Sequence, residues 1–374
     1  MYIYLCVFAI SILLCYFFEK MVFPVIEKKP FSKIWIVMSL ILIALLPSIL
    51  GGVRDYSIGT DIRVYGNTWF YLARSSSNLF SLLGAASASS IGALYATFNF
   101  VVSRFTDNPH WFYFWYCFAE NLIVLIALRE NRKLISITGG WATYLLLFYN
   151  LNFNMLRQGM ALVILLLGFK YIREEKFLKF ILVVLFAYLF HNTAIIALLV
   201  YIIYLIIAHK NNANNWVQMS LIYICSIIFI LSFESISQFL LNAGILSARY
   251  AIYLNSDNAA TGRSYIFYLF IFIVCILSVK SEKDTIFNFF EIITFICISF
   301  SILVKISYLS RVISYFSIYL CFGIPYIFEK KSRVILNGIT FRPLIMYILL
   351  IGYWLIIYAF LGYQSTVPFI FMTE

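Results

Sequence analysis

The residues best suited to binding an anion lie in one short segment near the middle of the chain. It reads Asn-Met-Leu-Arg-Gln-Gly-Met-Ala over residues 154–161 and leads directly into an apolar run. If the segment is helical, Asn154, Arg157 and Gln158 share one face. An arginine in the first turn of an apolar helix opposes the positive end of the helix dipole, and it is costly to desolvate without a partner. A bound anion would resolve both problems, and a capping role for Asn154 is compatible with it.

Two titratable side chains lie where they could act on the same ligand. Asp61 belongs to a glycine-containing segment, residues 51–65, which also holds Arg54 and several aromatic residues. His191 lies between two apolar runs, in the sequence Phe-His-Asn-Thr. Glycine allows a tight, closely approaching backbone, and histidine titrates near neutral pH. The simpler interpretations are a surface turn for Asp61 and a backbone-bonded interfacial histidine, and the sequence leaves them open.

Two further arginines have a tyrosine close by. Arg249 precedes Tyr250, and Arg311 comes one helical turn before Tyr315. Such pairs are suited to anchoring a guanidinium or to stacking on a sugar ring. The sequence has no glycine-rich phosphate loop, no HExxH motif, no Cys/His cluster and no Ser-His-Asp spacing, which disfavours a nucleotide or zinc enzyme. We therefore expect neither a metal nor a cofactor.

The apolar composition predicts that a bilayer surrounds most of the chain. Of its 374 residues, 63% are hydrophobic and only 11% are charged, too few to cover the surface of a water-soluble fold. Because a membrane-spanning helix needs about 20 apolar residues, the fold class is predicted to be all-α, a single polytopic transmembrane bundle of about twelve helices. The spans are expected near residues 2–18, 34–50, 111–128, 134–151, 155–172, 177–190, 192–208, 216–233, 264–279, 286–304, 308–328 and 343–361.

The distribution of lysine and arginine predicts the orientation. Eighteen of the 27 basic residues fall in one set of gaps between spans and nine in the other, and the larger set marks the cytoplasmic side. This rule places both termini outside, together with outer loops at residues 51–110 and 234–263. Residues 81–105 must then be re-entrant or interfacial, because one more crossing would invert every later loop. The net charge of +11 reflects this topology, so a nucleic-acid partner is not expected.

Arginine makes up eight of the nine basic residues in the outward-facing set. A guanidinium keeps its charge near lipid and can hold phosphate oxygens with two parallel hydrogen bonds, which a lysine cannot do. We interpret Arg74 and Arg104 as interfacial residues. The arginines that we expect to bind a ligand are Arg54, Arg157, Arg249 and Arg311.

These segments, in this order, resemble the EpsG-like branch of the Wzy-type bacterial polysaccharide polymerases. The first match is Arg, then Gly-Thr-Asp, then Tyr, within residues 54–65. The second is the Asn-x-x-Arg-Gln-x-x-Ala pattern of residues 154–161, and the third is Phe-His-x-Thr-Ala over residues 190–194. Weaker matches fall at the later arginines, and the resemblance extends from about residue 40 to 330. The sequence departs from the family at Gly159-Met160, where a more helix-favouring pair is common, and in the loop of residues 234–263, which is usually larger in the family.

The resemblance implies a GT-C-like glycosyltransferase that polymerises O-antigen, capsule or exopolysaccharide repeat units at the outer face of the bacterial inner membrane. The growing chain on undecaprenyl diphosphate would pass to a hydroxyl of the next lipid-linked unit, and a chain-length regulator is a further expected partner. Arginines would stabilise the leaving diphosphate, and Asp61 or His191 would accept the proton. We favour Asp61, because a carboxylate on a flexible loop could reach a sugar. The residues expected to bind substrate are Arg54, Asn154, Arg157, Gln158, Arg249, Tyr250, Arg311 and Tyr315.

Three other membrane functions agree with parts of the sequence. A flippase for the same lipid-linked unit would need basic residues through the depth of the bilayer, whereas here they gather at one face. A membrane O-acyltransferase would need a catalytic histidine deep in the membrane, and His191 lies at the outer end of a span. A ligase that moves the finished glycan onto a lipid core shares the donor chemistry and differs in the acceptor, so it stays open.

Overall fold

Helices form nearly all of the protein in a computed structural model of the chain. The structure describes residues 1–26, 32–209, 215–243, 264–278, 284–303, 307–330 and 342–372. Within these ranges there is no β-strand, and the extended pairing consists of an isolated antiparallel bridge between Arg54 and Phe371. The all-α fold class is therefore confirmed for the described residues. Backbone contacts divide the chain into two compact units, Met1–Ile195 with Leu344–Glu374, and Ile196–Pro343.

The first unit is a bundle of long and short helices. In chain order these are α1 (Tyr2–Phe17), α2 (Ser32–Val53), α3 (Asn67–Ser75), α4 (Leu79–Ala88), α5 (Ala93–Ser103), α6 (Pro109–Glu130), α7 (Ile137–Leu147), α8 (Tyr149–Asn154), α9 (Leu156–Arg173) and α10 (Phe177–Tyr188). Helix α2 packs along α6, and Asn121 donates a hydrogen bond to the Ser48 hydroxyl across this contact at 2.9 Å. The Tyr149 hydroxyl donates to the carbonyl of Pro47 at 2.5 Å. These buried bonds fix the helices that carry the candidate site.

The second unit is arranged around one central helix. Its helices are α11 (Ala197–Ala208), α12 (Asn215–Asn242), α13 (Tyr265–Leu277), α14 (Thr285–Leu303), α15 (Ser307–Ser317) and α16 (Leu320–Pro325). Helix α14 packs against α11, α12, α13 and α15, which explains why most of its side chains are buried. A last helix, α17 (Arg342–Trp354), belongs to the first unit from Leu344 onwards.

Several helices have the length and composition of membrane spans. Among the described residues, five stretches meet both requirements: Tyr2–Val25, Lys33–Val53, Pro109–Glu130, Arg311–Glu329 and Pro343–Phe360. Shorter apolar helices of 10–17 residues accompany them. The chain is therefore a multi-pass helical membrane protein. The count of about twelve spans and the single membrane domain stay predictions, and the continuous helix expected over residues 134–151 is wrong, because it is broken at Phe148 into α7 and α8.

Short helices, rather than an open loop, make up most of residues 51–110. Helices α3, α4 and α5 have 9, 10 and 11 residues. At about 1.5 Å per residue, none of them is long enough to cross a bilayer alone. The chain turns between α4 and α5 at Ser90, whose φ of 54° lies in the left-handed region. The predicted re-entrant or interfacial placement of residues 81–105 agrees with these lengths and stays a prediction.

Single cysteines at the two ends of α6 would test the predicted orientation. In a cysteine-free variant, Asp107→Cys should react with an impermeant thiol reagent on intact cells, because Asp107 is predicted outside and its side chain is 79% exposed. Arg132→Cys, at an exposed position beyond the other end of α6, should react only after permeabilisation. The reverse labelling pattern would invert the whole topology.

Candidate functional site

The loop that follows α2 lies directly against the break between α8 and α9. Gly59 has a φ of 88°, and a Cβ added there would lie 2.5 Å from the carbonyl oxygen of Phe153. Only glycine combines this backbone conformation with so close an approach. The same carbonyl accepts a hydrogen bond from Arg54 at 3.4 Å. The two predicted polar segments, residues 54–65 and 154–161, are brought together in this way.

Hydrogen bonds from Asp61 and Asn154 join these two segments. The Oδ1 atom of Asn154 accepts from the backbone N–H of Thr60 at 2.5 Å and also from the Thr60 hydroxyl. The Oδ2 atom of Asp61 accepts from the backbone N–H of Leu156 at 3.1 Å. Leu156 is the first residue of α9, so Asp61 satisfies a donor that the first helical turn cannot satisfy internally.

Two predictions about this region are wrong. Asn154 ends α8 instead of opening the helix of Arg157, because the backbone leaves the helical region at Met155, with φ −124° and ψ 57°. Asn154 therefore neither caps α9 nor shares a helix face with Arg157. Asp61 is not a carboxylate on a flexible loop, since it is only 8% exposed and bonded to the start of α9.

Arg157 lies in the first turn of α9, and the described residues accept hydrogen bonds from few of its donors. Its guanidinium carbon lies 4.3 Å from the centre of the Tyr65 ring, and one terminal N–H donates to the carbonyl of Ser90 at 3.4 Å. The buried Nε atom has no hydrogen-bond partner in the part of the chain that the structure describes. Because a guanidinium has five N–H donors, stacking on Tyr65 fixes its plane and leaves an edge for phosphate oxygens.

Arg54 is a second guanidinium, buried within the same unit. It is 2% exposed and lies over the rings of Phe153 and Tyr113, at 4.0 and 5.1 Å from their centres. Burial lowers the pKa of the Arg54 guanidinium from its ordinary value. The charged form therefore bears a desolvation cost, which a neighbouring anion would offset.

A buried tyrosine of α5 is influenced by the same charged groups. Tyr95, in α5, is fully buried, and the charges of Arg157, Asp61 and Arg54 all act on its hydroxyl. Arg54 donates to the carbonyl of Phe153 and Asp61 accepts from the N–H of Leu156, so both contact the stretch that leads into Arg157. Unused guanidinium donors in such surroundings are suited to holding anionic oxygen atoms. We call Arg54, Asp61, Tyr95 and Arg157 the arginine site.

His191 lies at the turn after α10, as predicted. Its Nδ1 atom is 2.7 Å from the Thr193 hydroxyl. The same turn packs against the start of α5, where the N–H of Leu94 donates to the carbonyl of Leu189 at 3.0 Å. The backbone just before α5 also receives the hydrogen bond from Arg157. The turn of His191 and the arginine site therefore contact the same short segment.

Comparison with known families adds to this geometry. The model of the EpsG family matches residues 36–371, nearly the whole chain. The chain belongs to the EpsG family. Comparisons with curated proteins and with solved structures found no match. The matched range includes all three segments that carry the EpsG-like resemblance, and membership of this family supports a polysaccharide-polymerase-like role.

The EpsG-like resemblance also implies substrate binding by five further residues. Arg249 and Tyr250 lie outside the described residues. Arg311 and Tyr315 lie one turn apart in α15 of the second unit, with Tyr315 fully buried. Gln158 follows Arg157 in the first turn of α9 but is only 2% exposed. Their roles in binding stay predictions.

The C-terminal segment is an unpredicted neighbour of the site. Gln364 accepts a hydrogen bond from the side-chain nitrogen of Asn154. The N–H of Asp55 donates to the carbonyl of Ile370 at 2.9 Å, so residues 362–372 run beside the start of the loop that carries Asp61. No sequence pattern indicates this pairing, because it joins backbone groups from opposite ends of the chain.

Glu120, in the middle of α6, is a second unpredicted residue. It is 3% exposed, and the charge of Arg54 acts on it. A Cβ added to Gly159 would lie 3.0 Å from the Oε1 atom of Glu120 and 2.9 Å from the Oδ1 atom of Asn152. Helix α9 approaches these oxygens closely because residue 159 has no side chain, which explains the departure from the family pattern. A carboxyl inside an apolar span is a signal that the sequence does carry.

Proposed function

We propose that the protein is a glycosyltransferase that polymerises oligosaccharide repeat units carried on undecaprenyl diphosphate. The observation that carries the proposal is the pair of guanidinium groups, Arg54 and Arg157, whose Nε atoms have no hydrogen-bond partner within the described residues. A diphosphate offers several anionic oxygens to such donors, and the first turn of a helix favours negative charge. Membership of the EpsG family supports this reaction class.

The proposed reaction moves the growing glycan from one lipid carrier to another. A hydroxyl oxygen of the acceptor unit attacks the anomeric carbon of the growing chain, and the bond from that carbon to the diphosphate breaks. The diphosphate leaves with the electron pair, so its negative charge grows, and Arg157 and Arg54 stabilise it. Asp61 accepts the hydroxyl proton. We favour Asp61 over His191 because it is hydrogen-bonded to Leu156, the residue directly before Arg157.

An apolar cavity in the first unit supports a lipid-linked substrate. It has a volume of about 900 Å³ and lies between α5, α6 and the end of α10. Its lining includes Phe98, Trp115 and Phe190. Phe190 directly precedes His191, so the cavity reaches the turn that contacts the segment bound by Arg157. An isoprenoid chain would be compatible with these walls.

The proposed architecture is a GT-C-like arrangement of about twelve helices in the bacterial inner membrane, with the arginine site facing outwards. The two-to-one bias of basic residues supports that orientation. The product would be O-antigen, capsule or exopolysaccharide, and a chain-length regulator would be a protein partner.

Deletion of the gene would test the proposed function. We expect cells without the protein to carry single repeat units on the lipid carrier or lipid core, where wild-type cells carry long chains. Electrophoresis of the extracted glycans would measure this, and restoring the wild-type gene should restore the long chains. Loss of all surface repeat units with ligation intact would favour a flippase. Long chains that stay on the carrier and never reach the lipid core would favour a ligase.

A further inference from the structure

One backbone group determines the orientation of two side-chain amides. The backbone N–H of Thr60 can only donate, so the atom of Asn154 that faces it at 2.5 Å is the amide oxygen. The NH2 group of Asn154 therefore points away from Thr60, towards Gln364. Because an amide nitrogen donates, Gln364 receives it with its oxygen Oε1. The NH2 group of Gln364 is then directed away from Asn154.

The backbone around Gln364 is held in an uncommon conformation. Gln364 and Ser365 have φ values of 68° and 51°, in the left-handed region that non-glycine residues seldom occupy. The next residue, Thr366, is fully buried, and its carbonyl accepts a hydrogen bond from the Tyr4 hydroxyl at 2.9 Å. Its own hydroxyl accepts from the side chain of Asn150 at 3.0 Å. Strain of this kind persists where the surroundings enforce it, and it is concentrated at ligand sites.

The Gln364 side chain combines an anchored oxygen with an available donor. It is partly exposed, and no described residue accepts a hydrogen bond from its Nε2 atom. Through Asn154 it is connected to Thr60, the residue before Asp61. A neutral NH2 donor connected in this way to the segment of the proposed base matches the hydroxyl, ring and carbonyl oxygens of a saccharide better than it matches a lipid chain.

We propose that Gln364 is a saccharide-binding residue, whose Nε2 atom donates a hydrogen bond to a sugar oxygen of the lipid-linked repeat unit. This inference rests on the proposed function, and it assigns the C-terminal segment to the part of the site that selects the sugar. A half-buried amide that is left without a hydrogen-bond partner carries a free-energy cost. A ligand that lacks the matching oxygen therefore binds more weakly than one that has it. Gln364 therefore contributes to choosing which repeat unit is extended.

Two substitutions would show whether Gln364 donates a hydrogen bond to the ligand or only holds Asn154 in place. Gln364→Glu keeps an oxygen that accepts from Asn154 but replaces the donor with a second acceptor, which cannot donate a hydrogen bond to a sugar oxygen. Gln364→Ala removes both. Initial rates would be measured with the full-length protein and with lipid-linked repeat units extracted from cells that lack it. We expect roughly tenfold or greater increases in KM for both variants, with the protein present at wild-type abundance.

Gln238→Glu is the matched control, because it makes the same change at an exposed position of α12 in the second unit and should leave KM unchanged. If Gln364→Glu behaves like the wild type while Gln364→Ala is impaired, Gln364 only anchors Asn154 and the proposal is overturned. Wild-type KM in both variants would overturn it as well. If the wild-type protein does not extend the extracted units at all, the proposed function itself fails, and this inference fails with it.

Discussion

Arg157→Lys should reduce polymerisation by about 30- to 1,000-fold while the amount of protein in the membrane stays nearly unchanged. Lysine keeps the positive charge, but it loses the planar group that stacks on Tyr65 and the paired donors that hold phosphate oxygens. Removing one donor at sites that stabilise developing negative charge costs about 2 to 4 kcal/mol. Glycan chain length in cells and elongation rates in isolated membranes would measure the loss.

The control for this experiment is Arg63→Lys, since Arg63 is exposed on the loop that carries Asp61. Arg104 is unsuitable as a control, because its substitution would also remove contacts within the protein, and its interfacial placement stays a prediction. Its guanidinium donates to the carbonyls of Ala73 and Arg74 at 2.5 and 2.9 Å, where α3 ends. If Arg157→Lys supports wild-type chain length at equal abundance, Arg157 is only a topological charge and the diphosphate site must be sought elsewhere.

The parts of the site that could be predicted are those encoded by local pattern. Arg157 is conspicuous because a charge at the start of an apolar helix is costly, and His191 because it separates two apolar runs. The requirement for glycine at residue 59 became clear only from the structure. The residue has a positive φ and lies against the carbonyl of Phe153. The sequence could therefore indicate which segments matter, but not how they contact each other.

The missed features depend on contacts between distant residues. The break at Met155 separates Asn154 from the helix of Arg157, and a helical periodicity argument cannot detect it, because both sides of the break are helical. Gln364 lies after the last apolar run, and its contact with Asn154 follows from a turn in the C-terminal segment. These features arise from tertiary packing, which local propensity does not determine.

Asp61→Asn should lower the polymerisation rate by about 100- to 10,000-fold, the usual contribution of a general base. The substitution is nearly isosteric, and the asparagine oxygen can still accept the hydrogen bond from the N–H of Leu156. The start of α9 should therefore stay intact, while the group that accepts the hydroxyl proton is lost. The rate would be measured in isolated membranes at equal protein abundance, with long glycan chains as the readout in cells.

Asp61→Ala and His191→Gln complete this test. Asp61→Ala also removes the helix cap, so it should lower protein abundance as well as rate, because such caps contribute about 1 kcal/mol. His191→Gln should reduce the rate much less than Asp61→Asn, since its ring nitrogen is bonded to Thr193 and the base is assigned to Asp61. If Asp61→Asn is nearly silent and His191→Gln is inactive, the histidine is the base. Asp61 would then act as the cap that fixes Arg157 at the first turn of α9.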